Sequence, residues 1–436
     1  MEKEKLNSWF ASISAPFVPK DLRLDRIKLL LKLLGNPHEH FKSIHVAGTS
    51  GKGSTCTFIS SILSAHGYRT GLNLSPHVEK INERIQLNGI EISDSEFTAL
   101  AEKVYPAWQE TLAVSDFGPP TFFEVITAMA FEHFVSHKVD YAVVEVGLGG
   151  RLDATNVLLP KVSVITPISL DHTETLGKTV EEIAFEKAGI IKRGVPVVTS
   201  AVEPALGVIQ NKAAEQNCAL NVLGEDFNFV VVKNSLDGLV FNYSSQKVKI
   251  KNIQSNLLGS HQGLNASAAI AACSIIEEIE EEKVRAGVAN AAILARLEVI
   301  SRDPMVILDG AHNGEKIRAT VDFLLNVFGK RKVQVIMGIV SHKDPREIIR
   351  EVLPICSKIF FVSPQHEKQF HDAQLLCSIA KEFNPSVAAN IINLSDIQLV
   401  FSQKVPTCIT GSLYLAGIVK KALKQPASIP IVKLEQ

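Results

Sequence analysis

The sequence lacks the features that would assign it to several large classes of protein. Among its 436 residues, 45 Lys and Arg nearly balance 46 Asp and Glu, and no basic block occurs, so we expect no nucleic-acid partner. No apolar run reaches the roughly 18 residues of a membrane helix, and the first residues lack the layout of a signal peptide. We therefore expect a cytoplasmic protein without a membrane partner.

Cysteine is scarce, and the common cofactor patterns are absent. The six cysteines include no CxxC pair, so the sequence indicates neither a zinc knuckle nor a disulfide framework, and we expect buried thiols. The dinucleotide fingerprint GxGxxG is also missing, since GLGGRL at 147–152 has its third glycine two places early and a leucine in the final position. These absences disfavour an NAD or FAD enzyme.

The hydrophobic pattern predicts an α/β fold. Runs of four to eight apolar residues alternate with stretches of helical period, which is typical of parallel βαβ units. The length predicts two domains. We expect a P-loop-type parallel sheet domain at 1–297, with a small antiparallel insertion between Leu223 and Ile253. We expect a Rossmann-like α/β domain at 298–436, whose series of βαβ units begins with MVILDG.

The segment HVAGTSGKGST at 45–55 is a candidate phosphate-binding loop that departs from the strict P-loop pattern. Val46 stands where the first glycine is expected, and Gly53 separates Lys52 from the next hydroxyl. A glycine-rich turn before a helix can still direct backbone amides and the Lys52 ammonium at phosphates. An ordinary glycine-rich turn between a strand and a helix is the alternative.

Polar residues follow successive predicted strands. Parallel sheets bind ligands beyond the carboxyl ends of their strands, where the sequence places Lys52, Ser75, Glu145 and His172. Because Gly53 displaces the hydroxyl that usually reaches Mg²⁺, we expect the other three residues to hold the metal, although imidazole is an uncommon magnesium ligand. Each of them alone also fits a structural hydrogen bond or a helix cap. Their shared edge favours the metal site.

Lys187 lies on an apolar helical stripe with Val180, Ile183 and Ala184 in TVEEIAFEKAGII. A lysine whose stem packs there while its ammonium reaches water is one explanation. The other is burial that lowers its pKa and leaves an amine able to form a carbamate with carbon dioxide.

Nine motifs together resemble a known family. They occur in the order VAGTSGKGST, LSPHVEKINERIQLNG, TFFEVITAMAF, EVGLGGRLDATN, SLDHTETLG, FEKAGIIK, HQGLNA, LDGAHN and TGSLYLAG. This order resembles bacterial folylpolyglutamate and dihydrofolate synthases of the Mur ligase superfamily. The resemblance implies a monomeric, ATP-dependent ligase that phosphorylates a carboxylate of dihydropteroate or a reduced folate, after which the amine of L-glutamate attacks the acyl phosphate.

The resemblance also implies roles for individual residues. ATP contacts are expected at Gly48, Thr49, Ser50, Gly51, Lys52, Gly53, Ser54, Asn265, Arg296 and Asp309. Pterin contacts are expected at Thr121, Phe122, Phe123, Glu124, Leu152, Asp153 and Ala154. Magnesium is expected at Ser75, Glu145 and His172, with a second ion at a carboxylated Lys187, and catalytic roles at Lys52, Lys187 and His312.

Two other functions remain open from the residues alone. One is a Mur-type ligase that acts on a nucleotide-linked peptide, although GLGGRLDATN and TFFE favour a pterin substrate. The other is a nucleotide-binding regulator or transporter subunit that hydrolyses ATP without ligation.

Overall fold

The computed structural model describes residues 3–13, 22–114 and 116–424. The chain divides into two compact units, Met1–Ile293 and Leu294–Gln436. Residues 295–297 belong to the second unit, because the amide of Gly310 donates to the carbonyl of Ala295 at 2.8 Å and the amide of Leu297 donates to Asp309 Oδ2 at 3.0 Å.

The first unit alternates strands and helices as the hydrophobic pattern predicts. Its strands are β1 (Lys42–Ala47), β2 (Thr70–Asn73), β3 (Ile85–Leu87), β4 (Ile90–Glu91), β5 (Tyr141–Glu145), β6 (Val162–Ile165), β7 (Val197–Thr199), β8 (Leu220–Val222), β9 (Phe227–Ser235), β10 (Gly238–Ser245) and β11 (Lys249–Ser255). Its helices are α1 (Lys3–Ile13), α2 (Asp25–Leu33), α3 (Lys52–Ala65), α4 (Asp94–Val114), α5 (Phe122–Ser136), α6 (Thr173–Leu176), α7 (Val180–Ala188), α8 (Ala205–Glu215), α9 (Ser260–Ile276) and α10 (Glu281–Asn290).

Eight of these strands form one sheet in the order β4-β3-β2-β5-β1-β6-β7-β8. Six of them pair in parallel, in the order β2-β5-β1-β6-β7-β8. Strands β3 and β4 extend the sheet beyond β2 in antiparallel pairing. The expected parallel sheet is therefore confirmed, with an antiparallel extension. The register pairs Val46 with Glu145 and Ala47 with Ile165, so the residues that follow β1, β5 and β6 leave the sheet side by side.

Helices cover both faces of this sheet. Along β5, Val143 packs in the same core as Phe58 and Ile62 of α3 and the alanine-rich α9. The next residue, Val144, packs in a second core with α2, α4 and α5, among them Phe131 and Phe134. Because successive residues of a strand face opposite sides, a run of apolar residues is what a sheet covered on both faces requires.

The insertion expected between Leu223 and Ile253 is a three-stranded antiparallel sheet in the order β11-β10-β9. Leu239, Phe241 and Tyr243 of β10 are buried against α9. The insertion therefore shares the core that lies beneath α3.

The second unit is a smaller α/β structure. Its strands are β12 (Glu298–Arg302), β13 (Met305–Leu308), β14 (Val333–Met337), β15 (Cys356–Phe361), β16 (Ala389–Ile391) and β17 (Thr407–Thr410). Its helices are α11 (Gly314–Phe328), α12 (Pro345–Val352), α13 (Ala373–Phe383), α14 (Ile397–Phe401) and α15 (Leu413–Lys424). The sheet order is β12-β13-β17-β14-β15-β16, parallel except for the edge strand β12.

Candidate active site

The segment after β1 is a tightly packed glycine loop that begins α3. Gly48 has φ of 145° and Gly51, which caps α3, has φ of 85°, both in the region that favours glycine. A Cβ at Gly48 would lie 1.8 Å from Thr166 Oγ1, and one at Gly51 would lie 2.2 Å from Asn265 Oδ1. Both positions therefore require glycine for two reasons, the backbone conformation and the close contact.

The glycine loop is bound to the segment that follows β6. The amides of Thr49 and Ser50 donate to the carbonyl of Pro167 at 2.8 and 3.3 Å, and Thr49 Oγ1 donates to the carbonyl of Ser169 at 3.1 Å. These amides already have protein acceptors. The donors that α3 itself leaves for an anion are the amides of its first turn, in Lys52, Gly53 and Ser54, which lack an acceptor within the helix.

Glu145 brings the ends of β1, β2 and β5 together. Its Oε1 lies 4.0 Å from the ammonium nitrogen of Lys52, and its Oε2 accepts a hydrogen bond from the amide of Ser75 at 2.9 Å. The Glu145 side chain is 6% exposed and that of Lys52 is 17% exposed. A carboxylate and an ammonium thus face each other beside the first turn of α3, where charge interactions are stronger than in bulk water.

His172 lies on the segment between β6 and α6, which also contains the acceptor for the Thr49 hydroxyl. It has φ of 51°, begins α6, and its side chain is 46% exposed. The neighbouring Asp171 is only 10% exposed, and its Oδ1 accepts from the His172 amide at 2.9 Å. The sequence analysis missed Asp171, although SLDHTETLG contained it. Its carboxylate oxygen is the ligand type that magnesium prefers over imidazole.

Lys187 is buried, at 5% exposure, and its Nζ donates to the carbonyl of Gly48 at 2.8 Å. The explanation in which its ammonium reaches water is therefore wrong. The apolar stripe of α7 packs against the sheet, and this packing delivers the amine to the back of the glycine loop.

Asp153 fixes the GLGGRLD segment after β5. The carboxylate accepts from the amides of Leu148 and Thr155 at 2.9 and 3.0 Å and from the hydroxyl of Thr155 at 2.5 Å. Burial raises the pKa of Asp153, and these hydrogen bonds oppose the rise. Its neighbours Leu152 and Ala154 are partly and fully buried. The carboxylate for which a pterin contact is expected thus holds its own loop.

The segment 121–124 begins α5 with a capping box. Thr121 Oγ1 accepts from the amide of Glu124, whose carboxylate accepts from the amide of Thr121 at 2.6 Å. Glu124 also forms a buried ion pair with Arg26 at 3.2 Å. Phe123 faces the loop after β5, since a Cβ at Gly147 would lie 2.5 Å from its ring. Of this predicted pterin set, the ring of Phe123 approaches that loop, while Thr121 and Glu124 shape the helix start.

Phe122 and Asn265 take different positions in the first unit. The half-buried Phe122 ring lies 5.5 Å from the guanidinium of Arg84. Asn265, on α9, is buried, its Oδ1 faces Gly51, and its Nδ2 donates to Gln262 Oε1 at 3.0 Å. The sequence analysis missed Gln262, which orients the Asn265 amide although it stands in the same HQGLNA motif.

In the second unit, Asp309 follows β13 and organises its own loop. Its carboxylate accepts from the amides of Leu297 and Ala311 at 3.0 and 3.1 Å and from the Thr320 hydroxyl at 2.7 Å. The Arg296 guanidinium donates to the carbonyl of Ala295 at 3.2 Å. Asp309 is 6% exposed, and these three hydrogen bonds hold the loop that follows β13.

His312 lies at the end of the LDGAHN segment. Its Nδ1 lies 2.8 Å from the carbonyl of Gly310, and its Nε2 lies 3.0 Å from the ammonium of Lys316. Because a carbonyl only accepts, Nδ1 carries the proton and Nε2 accepts from Lys316. Lys316, on α11, adds a positive charge that the sequence analysis missed.

The chain matches two family models, the Mur ligase middle domain over residues 112–273 and the Mur ligase glutamate ligase domain over residues 295–407. It is 37% identical to the dihydrofolate synthase/folylpolyglutamate synthase of Bacillus subtilis, over 92% of this chain and 95% of that one. The chain belongs to the folylpolyglutamate synthase/dihydrofolate synthase family of Mur ligases.

Solved structures agree with this family membership. A folylpolyglutamate synthase from Thermotoga maritima matches with a TM-score of 0.85 and 34% identity over 98% of both chains. An FPGS–AMPPCP–folate complex matches with a TM-score of 0.84 and 34% identity, over 98% of this chain and 100% of that one. The α/β fold, the ATP-dependent ligase class and the family resemblance inferred from the motifs are therefore confirmed.

Two further findings concern the helices and the cysteines of the chain. Within the ranges 3–13, 22–114 and 116–424, no helix combines the length and the apolar character needed to cross a bilayer. All six cysteines are free, and Cys218 alone among them is partly exposed. Burial raises the pKa of the Cys56 thiol well above its usual range, so that thiol stays protonated beneath the glycine loop.

Proposed function

We propose that this ligase joins the amine of L-glutamate to a carboxylate of a reduced folate, and also of dihydropteroate, at the expense of ATP. The observation that carries the proposal is the meeting of Lys52, Glu145 and the Ser75 amide beside the first turn of α3. AMPPCP and folate occupy the related FPGS complex, which supports ATP and a folate as substrates here.

The proposed reaction has two steps. The acceptor carboxylate attacks the γ-phosphorus of ATP, the bond to ADP breaks, and an acyl phosphate forms. The glutamate amine then attacks the acyl carbon, the carbon–oxygen bond to phosphate breaks, and the amide and inorganic phosphate are released. The Lys52 ammonium and the first-turn amides of α3 offset the negative charge that develops on the transferred phosphoryl group.

Magnesium fits the oxygen donors of this edge. Glu145 supplies a buried carboxylate, Ser75 a hydroxyl, and the segment after β6 supplies Asp171 beside His172. We propose that these residues hold the ion, which would neutralise the charge of the phosphates when bound. The exposed imidazole of His172 would complete the set.

The Lys187 amine fits the carbamate that the family resemblance implies. It is buried, and its Nζ donates to the Gly48 carbonyl. A carbamate nitrogen retains one N–H, so the contact with Gly48 would survive carboxylation. We propose that a carbamate at Lys187 would supply oxygen ligands for a second magnesium ion.

The remaining residues are proposed to act in two ways. We propose that the pterin contacts Phe122, Phe123 and Leu152. We propose that ATP contacts Asn265, Arg296 and His312. Asp153, Glu124 and Asp309 are proposed as positioning residues, because their carboxylates are already bound by donors of the same unit. We propose that the active enzyme is a monomer.

Parallel assays with dihydropteroate and with tetrahydrofolate test the function. Purified protein receives ATP, Mg²⁺ and L-glutamate with each acceptor in turn, and both phosphate release and the glutamylated product are measured. We expect phosphate release only when glutamate and an acceptor are both present. Hydrolysis of ATP that is independent of the acceptor would contradict ligation, and the absence of glutamylated product with both acceptors would contradict the proposed substrates.

A further inference from the structure

A second cluster of ligand atoms lies on α4 and α5, among residues that the candidate active site does not include. Glu96 stands in the first turn of α4, and His133 and His137 lie four positions apart at the end of α5. The two imidazole rings have centroids 4.2 Å apart, and one ligand atom from each of the three side chains lies within 4.8 Å of the others. We call these three residues the Glu96 cluster.

His137 is held with one nitrogen toward Glu96. Its Nδ1 lies 3.0 Å from the carbonyl of His133, an acceptor, so Nδ1 carries a proton. Its Nε2 lies 3.8 Å from Glu96 Oε1. A histidine oriented by a hydrogen bond from one nitrogen to a backbone carbonyl is the usual arrangement of a metal ligand.

Glu96 presents one carboxylate oxygen to the cluster. Its Oε2 accepts from the amide and the hydroxyl of Ser93 at 2.8 and 2.7 Å, whereas Oε1 faces His137. The hydrogen bonds from Ser93 lower the pKa of Glu96, so the carboxylate is ionised at neutral pH. The orientation of the carboxylate is therefore fixed without using Oε1.

His133 contributes a buried ring nitrogen, Nε2, for which the structure shows no hydrogen-bond partner among the described residues. The residue is 1% exposed. Burial, followed by the neighbouring His137, lowers the pKa of His133 to about 4, so the ring is neutral at pH 7. A buried polar atom without a partner costs stability, and a neutral imidazole nitrogen has a lone pair for a metal.

We propose that Glu96, His133 and His137 bind one divalent cation of the zinc class, which clamps α4 against the end of α5. Two imidazoles and one carboxylate suit zinc, which takes nitrogen and oxygen ligands in a tetrahedron, better than magnesium or calcium. Two donor atoms about 2.0–2.1 Å from a tetrahedral zinc lie about 3.4 Å apart. The 3.8 Å between His137 Nε2 and Glu96 Oε1 is thus close to the required span.

The electrostatic surroundings also favour a cation here. The final carbonyl groups of a helix form the negative end of its dipole, and His133 and His137 stand in the last turn and at the C-cap of α5. The Arg69 guanidinium donates to the carbonyl of His137 at 2.7 Å and is thereby engaged by the backbone. Glu96 supplies the one negative side chain of the cluster.

Titration of the chelator-treated full chain with Co²⁺ tests the proposal. Excess Mg²⁺ is included to occupy oxygen-rich sites, and the visible d–d absorption of Co²⁺ reports nitrogen-containing coordination. We expect saturation at one ion per chain. Glu96→Gln and His137→Gln remove ligands from half-buried positions and should each weaken binding by more than about 100-fold, beyond the range seen when only outer partners of a ligand are lost.

His40→Gln is the matched control, because His40 is an exposed histidine outside the cluster. Its binding curve should coincide with that of the unaltered chain. A second measurement uses Zn²⁺, which should raise the thermal unfolding midpoint of the unaltered chain and of His40→Gln but not of the two cluster variants. Absence of saturable Co²⁺ absorption, or binding equally strong in Glu96→Gln and His137→Gln, would overturn the proposal.

Discussion

Glu145 in the first unit and Asp309 in the second both stand at the carboxyl end of a strand. Each is buried, at 5% and 6% exposure. Glu145 faces the ammonium of Lys52 and the amide of Ser75. Asp309 instead receives two backbone amides and a hydroxyl from its own unit. A carboxylate at the end of a strand can thus either face a charged side chain or accept hydrogen bonds that hold a loop.

The substitution Lys52→Ala should produce the largest effect and tests the first half of this comparison. Loss of one preorganised charge at a developing anion typically costs about 10²–10³-fold in rate. We expect a fall of that size in kcat/KM, with unfolding free energy changed by less than about 1 kcal/mol. Lys161→Ala, at an exposed lysine just before β6, is the control and should keep full activity. An active Lys52→Ala enzyme would mean that the ammonium meets no substrate.

The substitution Lys187→Ala tests the role of the amine that donates to the Gly48 carbonyl. Activity should fall by more than about 100-fold, and short carboxylates such as acetate should restore part of it if the lost group is a carbamate. Steady-state rates across an acetate series measure the rescue. Lys192→Ala, which removes a lysine bound to the Asn156 carbonyl at 3.0 Å, should show no response to acetate. If no carboxylate restored activity, the carbamate would be contradicted, and the role of Lys187 would be its hydrogen bond with the Gly48 carbonyl.

Asp309→Asn tests the second half of the comparison, in parallel with Glu145→Gln. The carboxylate of Asp309 accepts from two backbone amides and one hydroxyl. In Asp309→Asn an NH₂ group replaces one acceptor oxygen, so a buried donor loses its acceptor, which costs about 1–3 kcal/mol of unfolding free energy. We expect faster amide hydrogen exchange in β13 and α11 for Asp309→Asn. For Glu145→Gln we expect lost turnover with nearly unchanged exchange.

Hydrogen exchange is the appropriate measurement because both tryptophans of the chain, Trp9 and Trp108, belong to the first unit. Their fluorescence would not report unfolding of the second unit directly. If Asp309→Asn abolished turnover while exchange in β13 stayed slow, Asp309 would belong with Glu145 and the contrast between the two carboxylates would fail.

The smallest expected effect concerns His45 in the middle of β1, which lies near the glycine loop in sequence but is buried. Burial, with a smaller contribution from Lys192, lowers the pKa of His45 from 6.5 to about 3. The folded chain therefore holds the ring neutral, while the unfolded chain binds a proton below pH 6.5. Stability should fall as the pH drops from 6.5 toward 3, by about 1–2 kcal/mol between pH 7 and pH 5 from this residue.

Urea unfolding followed by tryptophan fluorescence measures this pH dependence. The variant His45→Asn should have a shallower decline over the same range, while the ligase reaction at neutral pH should be little affected. His133, whose pKa is lowered to about 4, remains in that variant and sustains part of the slope. An unchanged slope in His45→Asn would contradict the assignment of the acid sensitivity to β1.

Several elements were predictable because their residues leave few alternatives. The apolar runs of β1, β5 and β6 are buried on both faces, and that burial is what makes such runs typical of parallel strands. The antiparallel extension of β3 and β4 was not predicted, although Asn88-Gly89 between them is a hairpin pattern. Strand β12, EVISR, is polar and only partly buried, so its apolar content was too low to reveal it.

The roles of buried carboxylates were less predictable than the positions of strands. Asp153 and Glu124 stand in motifs that resemble a pterin site, yet both accept hydrogen bonds from nearby backbone amides. A motif gives the residue type and the spacing. It does not tell which donors a carboxylate meets, because those donors come from the folded loop around it.

By itself, the sequence determined the α/β architecture, the family, and the clustering of Lys52, Ser75 and Glu145 at the ends of neighbouring strands. Hydrophobic period indicates the architecture, and the order of nine motifs indicates the family by resemblance. The clustering follows because parallel strands end at a common edge. Only the tertiary structure decided that the Lys187 amine reaches the Gly48 carbonyl and that Asp309 is consumed by its own loop. The first contact depends on packing between segments 139 residues apart in the chain. The donors to Asp309 are 2 to 12 residues away, and only the folded unit fixes their direction.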